Sequence, residues 1–190
     1  MLSHWERLYD VDKVKGIRVA PKLSADHFAK EGYLAMRVKL AYSFFSEEVA
    51  VAMEHYSKEK VSGLEDVSAT VSFIRRINKL FDAMGARCPF KSLKAASSEQ
   101  PDPEHHEKGV TAKNYCPQSP KQSREFVEEF LAFLKKCECS GVKRCFRFTS
   151  QTAFGLRVTL TAALELTDYL SKELGYSYFM TKRMSQDALE

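Results

Sequence analysis

Asp187 and Glu190 stand three residues apart at the end of a 190-residue chain. On a helix that spacing puts both carboxylates on one side, where they could share or flank a divalent cation. The pair equally suits the first turn of a helix, whose dipole favours acidic side chains. Two carboxylates fall short of a two-metal nuclease site, which needs further acidic ligands. No early strand bearing an Asp is legible upstream. The five cysteines, Cys88, Cys116, Cys137, Cys139 and Cys145, are an odd number without a repeated C-x-x-C, so free thiols are expected. A metal held by Cys137 and Cys139 with Cys145, or with His105 and His106, is the irregularly spaced alternative.

No G-x-x-x-x-G-K-[ST] is present, which excludes a P-loop. Asn78 to Asp82 (NKLFD) is one residue longer than a guanine-reading N-K-x-D and lies on an expected helix, so by itself it is a chance match. Lys22, Arg37 and Lys39 have the charge to meet phosphate, and basic residues on a solvated helix face are the ordinary alternative. His27, His55, His105 and His106 lack the spaced nucleophile of a catalytic triad and read as surface or partly buried polar residues.

The elements that must position these groups are mostly helices. From about Leu34 to Tyr56, apolar residues recur every three or four positions (Leu34, Val38, Ala41, Phe45, Val49, Ala52, Tyr56), which predicts one amphipathic helix. A second is expected over Asp66 to Met84, with Val67, Thr70, Ile74, Ile77, Phe81 and Met84 as its stripe, ending at Gly85. Residues 97–123 hold four of the six prolines and read as a linker or loop. Ser123 then caps a third helix carrying Phe126, Val127, Phe130, Phe133 and Leu134. A fourth runs over Thr152 to Leu174 with Leu156, Leu160, Ala163, Thr167, Leu170 and Leu174 on one face, and stops at Gly175. Arg144 to Thr149 and Tyr176 to Thr181 alternate as short strands do. Ser185 opens a last helix in whose first turns the chain ends, as expected for a piece of a longer protein.

With 44% hydrophobic residues the chain can bury a core. Its formal charge of +4 gives weak bulk support for a polyanion partner and none for a membrane, so any nucleic-acid contact would have to be local. Neither a signal-peptide core nor a run of about 20 apolar residues is present, so an intracellular chain without a membrane partner is expected.

The wording of several segments carries a family resemblance. Arg18 to His27 (RVAPKLSADH), Met36 to Ala41 (MRVKLA), Phe45-Ser46, Val49-Ala50, Phe73-Ile74, Ile77-Asn78 and Leu80 to Asp82 (LFD) resemble the GTP-binding insertion domain of P-element transposases and their THAP-domain-linked relatives. Gly155-Leu156, Tyr169-Leu170, Tyr178 to Thr181 (YFMT) and Gln186 to Glu190 (QDALE) resemble the end of that family's RNase H-like core. The resemblance implies a mainly α fold, a helical insertion domain followed by a C-terminal fragment of an RNase H-like α/β domain. Residues 1–96 would form the insertion domain, 97–123 a proline-rich linker, and 124–190 the end of the insertion and the RNase H-like segment. It further implies that Glu190 takes the place of the catalytic glutamate and Asp187 that of the acidic residue beside it, both toward Mg²⁺. Lys22, Arg37, Val38 and Ser46 would border GTP and Asp82 would read the guanine edge, accepting two N–H donors in one plane.

Two positions depart from the family: Gly85 stands where an Asn is usual, and Arg37 where a Lys is common. The resemblance implies a parent that carries out GTP-dependent cut-and-paste transposition in the nucleus on transposon-end DNA. This chain alone is expected to be inactive, while able to associate with intact transposase. The alternative is a helical module that binds guanine nucleotide or protein without chemistry.

Overall fold

The computed structural model describes residues 2–16, 18–28, 37–85, 93–94, 120–139 and 148–184. Contacts divide the chain into two compact units, Met1–Phe81 and Asp82–Glu190. Among the described residues the fold is all helix apart from one isolated β-bridge, in accord with the mainly α expectation.

The first unit opens with α1 (Leu2–Val14), a helix that no clean apolar period announces. Trp5 and Leu8 fall on its inward face and are buried, but the next position in that stripe is Asp12, only 1% exposed. The carboxylate is tolerated because its lone pairs are filled. It accepts the Tyr56 hydroxyl at 2.7 Å and the backbone N–H groups of Val19 and Ala20 at 2.7 and 3.1 Å, and Arg18 lies 3.6 Å away. Burial works to raise its pKa, but those donors outweigh burial and hold the carboxyl below its ordinary value. Burial, and then the Asp12 charge, push the Tyr56 hydroxyl up to about 12. One carboxylate thus fastens the segment after α1 to both α1 and α3.

A single 3₁₀ turn, Ala25–Phe28, leads toward α2 (Val38–Phe44) and α3 (Glu47–Lys58). The one long helix expected over Leu34 to Tyr56 is therefore two helices, with residues 34–36 outside the described ones. Ser46 adopts the extended N-cap conformation (φ −78°, ψ 155°), and Glu47 and Glu48 occupy the new first turn, where the helix dipole favours them. The interruption also lets adjacent aromatics face different neighbours. Phe44 stacks on Trp5 (centroids 4.7 Å apart, planes 5° from parallel), whereas Phe45 meets Phe73 and Phe81 edge-on. Trp5 Nε1 donates to the Phe44 carbonyl at 3.0 Å, which fixes the end of α2 against α1. Because the stripe loses phase at the break, Val49, Ala52 and Tyr56 are buried while Ala41 is exposed.

α4 (Ser68–Met84) buries Val67 at its threshold and then Thr70, Val71, Ile74, Ile77 and Leu80. Arg75 ties it to α3 with 2.6 and 3.0 Å bonds to Glu54 and a 2.9 Å bond to Glu47. The Arg75 fork draws the Glu54 carboxyl below its usual value. The turn between α3 and α4 passes through Gly63 at φ 85°, a conformation that favours glycine, and a side chain there would also press on Arg7 Cγ at 3.3 Å.

In the second unit α5 (Pro120–Cys139) packs against α6 (Ser150–Leu174). α5 starts at Pro120 rather than after Ser123: proline suits a first helical position, and Ser123 lies inside the helix with its hydroxyl buried. Val127, Phe130 and Leu134 of α5 and Ala153, Leu160, Ala163, Leu164 and Thr167 of α6 are buried, while Leu174 at the end of the expected stripe is exposed. Arg124, early on α5, makes paired 2.9 Å bonds to Asp168, late on α6, so the two helices run antiparallel. Thr149 caps α6 by accepting from Thr152 N–H at 3.2 Å, and Gly175 ends it in the left-handed conformation (φ 68°, ψ 21°). The strand expected over Tyr176 to Thr181 is not formed. Phe179 makes a single antiparallel bridge to Leu93, exchanging 2.8 and 3.0 Å backbone bonds, and the chain then turns into the 3₁₀ helix Thr181–Met184. With one paired residue on each side, no ladder propagates. Of the other expected strand, residues 144–147 lie outside the described residues, as does the helix start at Ser185.

Candidate nucleotide site

Lys22, Arg37, Val38 and Ser46 all belong to the first unit, on three successive pieces of chain. Lys22 follows Pro21 just before the 3₁₀ turn and donates from Nζ to Glu48 Oε1 at 2.6 Å. Both side chains are largely exposed, so the pair adds little stability and its ammonium is cheaply redirected. Glu48 sits in the first turn of α3, two residues after Ser46. The structure therefore brings Lys22 to the helix end that Ser46 begins.

Ser46 departs from ordinary capping. Its backbone has the N-cap conformation and its carbonyl accepts from Val49 and Ala50 N–H at 3.1 and 3.3 Å. Its Oγ makes no cap bond, and it is buried without a hydrogen-bond partner. A buried hydroxyl left unpaired costs about 1–3 kcal/mol, a penalty a ligand would relieve.

Arg37 marks the opposite end of α2. Its side chain is exposed, its backbone is extended (φ −73°, ψ 109°), and its carbonyl accepts from Leu40 N–H at 3.0 Å. Val38 is the first residue of α2. At 1.5 Å per residue, the seven residues of α2 separate the Arg37 end from the Ser46 end by about 10 Å. Asp82 is an exposed residue in the last turn of α4 and opens the second unit. Gly85 follows that helix directly. Asp187 and Glu190 lie outside the described residues.

Two features escaped the sequence. Nothing in composition or spacing marks Asp12 as the anchor of the segment that carries Lys22. His27, expected to be an unremarkable polar residue, stacks its ring near-parallel to Phe44 (6.3 Å, 17°) beside the Lys22 segment. Among the described residues no group of three or more His, Cys, Asp or Glu could hold a metal. Cys137 is half-buried and not in a disulfide, and His105, His106 and Cys145 lie outside the described residues. Among the described residues no helix is long and apolar enough to cross a membrane.

Comparison with known proteins bears on this geometry. Residues 2–97 match the family model described as TNP-like, GTP-binding insertion domain. No curated protein matches the chain. Among solved structures, the chain resembles one in the Drosophila P element transposase strand transfer complex, with TM-score 0.61 and 16% identity over 97% of this chain. The chain spans only 37% of that protein's length, and the likeness is one of fold. The family model covers half of the chain, which therefore belongs to the TNP-like, GTP-binding insertion domain family.

Proposed function

We propose that this chain is the guanine-nucleotide-binding portion of a P-element-like transposase. The observation that carries the reading is the buried, unpartnered Ser46 hydroxyl at a helix start that also receives Lys22, within the residues matched by the GTP-binding family. A nucleotide suits that chemistry. Arg37 and Lys22 supply cationic donors for phosphate oxygens, Ser46 a hydroxyl, and Val38 the start of a helix between them. Asp82 would accept the guanine N–H donors. GTP, when bound, supplies a rigid polyanionic body that docks the transposon end.

The remaining assignments rest on the resemblance. Asp187 and Glu190 would contribute two of the Mg²⁺ ligands of a nuclear cut-and-paste transposase acting on transposon-end DNA. Phosphodiester chemistry with two cations needs a larger carboxylate set, so the chain alone neither cuts nor joins DNA, and intact transposase is its candidate partner. Support for the C-terminal assignment is the fold likeness to the P element protein.

Isothermal titration with GTP tests the nucleotide reading. Saturable binding that Asp82→Ala weakens, with ATP binding far more weakly, is expected. Equal heats from GTP and ATP would refute guanine recognition. For the chemistry, purified chain is incubated with Mg²⁺ or Mn²⁺ and transposon-end DNA. No cleavage is expected, and nicking abolished by Glu190→Gln would overturn the claim of inactivity.

A further inference from the structure

His27 lies in the 3₁₀ turn Ala25–Phe28, five residues after Lys22. Its Nδ1 accepts the Ser24 backbone N–H at 3.0 Å and sits 3.1 Å from Ser24 Oγ. Nδ1 also lies 3.2 Å from the Ser24 carbonyl, but its shorter contact is with the N–H, which can only donate; with Nδ1 accepting that bond, a neutral ring carries its proton on Nε2. That Nε2 is buried and has no hydrogen-bond partner among the described residues. Native structures rarely leave a buried donor unpaired without a functional reason.

The neighbouring aromatics do not supply the missing acceptor. The imidazole and the Phe44 ring are only 17° from parallel, and an N–H bond lies in the plane of its ring. Nε2–H therefore runs alongside the Phe44 face instead of into it, which excludes an N–H···π contact with that ring. Phe44 is also two residues before Ser46, whose hydroxyl is likewise buried and unpartnered. Two orphaned polar groups thus flank one aromatic residue. The segment holding the first also carries Lys22, and the helix opened by the second also carries Glu48, the Lys22 partner.

We propose that His27 is a nucleotide-binding residue, donating through Nε2–H to an oxygen of the bound nucleotide, with Ser24 holding the ring in the required tautomer. This rests on the guanine-nucleotide reading above and adds a contact that the resemblance does not assign. The ligand chemistry is a hydrogen-bond acceptor oxygen, which a nucleotide offers on its phosphates, its ribose and its base.

The test uses the whole chain, titrated calorimetrically with GTP, as wild type, His27→Phe and His27→Gln. Phenylalanine keeps a flat ring against Phe44 without a donor; glutamine restores an amide N–H. Affinity about tenfold weaker for His27→Phe is expected, with partial recovery for His27→Gln. Unfolding temperatures without nucleotide should not follow that order, since a purely structural His27 would lower stability and leave affinity unchanged. Nitrogen NMR of histidine-labelled wild-type protein keeps the question open to refutation if a variant does not fold: GTP should shift the His27 Nε2 resonance. A guanosine arm locates the acceptor, on ribose or base if the loss persists and on phosphate if it disappears. Wild-type binding of GTP with undiminished affinity in His27→Phe, or an unmoved Nε2 resonance, overturns the proposal while leaving the nucleotide site intact. Absence of GTP binding by the wild type removes the site and the proposal together.

Discussion

Asp12 shows what a single buried charge does in the first unit. Its carboxylate satisfies two backbone N–H groups and a tyrosine hydroxyl that would otherwise be buried unpaired. Asp12→Ala is expected to cost about 3 kcal/mol, measured by urea unfolding, because three donors lose their acceptor at once. Its folded-state pKa lies below the ordinary carboxylate value, so its contribution is complete above the unfolded pKa near 3.8 and is lost as pH falls through the folded value. The Tyr56 hydroxyl is shifted the other way, so its contribution is present below 10.0 and is lost as pH rises through about 12. Unfolding free energy measured against pH should therefore decline at both extremes, and Asp12→Asn should flatten the acid limb. None of this was legible beforehand: a charged residue in an inward stripe destroys the apolar period from which α1 would have been read. Lys22, Arg37 and Ser46 were legible as residues, but only segment wording, and no spacing rule, singled them out.

Among the elements, the division between α2 and α3 was the instructive failure. Apolar residues kept helical spacing from Leu34 to Tyr56, yet Ser46 followed by Glu47 and Glu48 is a helix start, and that local signal prevailed over the longer period. Ser46→Ala should lower stability by less than the roughly 1 kcal/mol typical of a lost N-cap, since Ser46 Oγ makes no cap bond, while it weakens nucleotide binding. Thermal unfolding beside GTP titration separates the two effects, and a large stability loss with unchanged affinity would assign the hydroxyl a structural role. In the second unit the stop of α6 is read from Gly175, whereas its start is placed two residues late, at Thr152, because Thr149 reads as the end of a strand and not as the cap. Gly175→Ala is expected to destabilise by about 1 kcal/mol, since the left-handed backbone there penalises a Cβ. The Tyr176 to Thr181 alternation misled because a strand needs a partner, and a local pattern does not show how much partner there is.

Across the whole molecule, the mainly α class and four long helical stretches followed from periodicity, whereas the grouping into two units did not. That grouping depends on long-range pairs such as Arg124 with Asp168 and Arg75 with Glu54, whose members are ordinary surface residues in sequence. Replacing Asp168 by Asn leaves Arg124, only 12% exposed, without its bidentate carboxylate. A loss of about 2 kcal/mol confined to the second unit is expected, visible as faster amide exchange in α5 and α6 with α1 unchanged. The central claim, guanine-nucleotide binding, is tested most directly by unfolding the whole chain with GTP and, in parallel, with ATP at equal concentration. A ligand at about a hundred times its dissociation constant raises native stability by roughly 2.7 kcal/mol. A rise in melting temperature with GTP that ATP does not match is the predicted result. Identical melting curves with GTP, with ATP and without nucleotide would contradict the assignment.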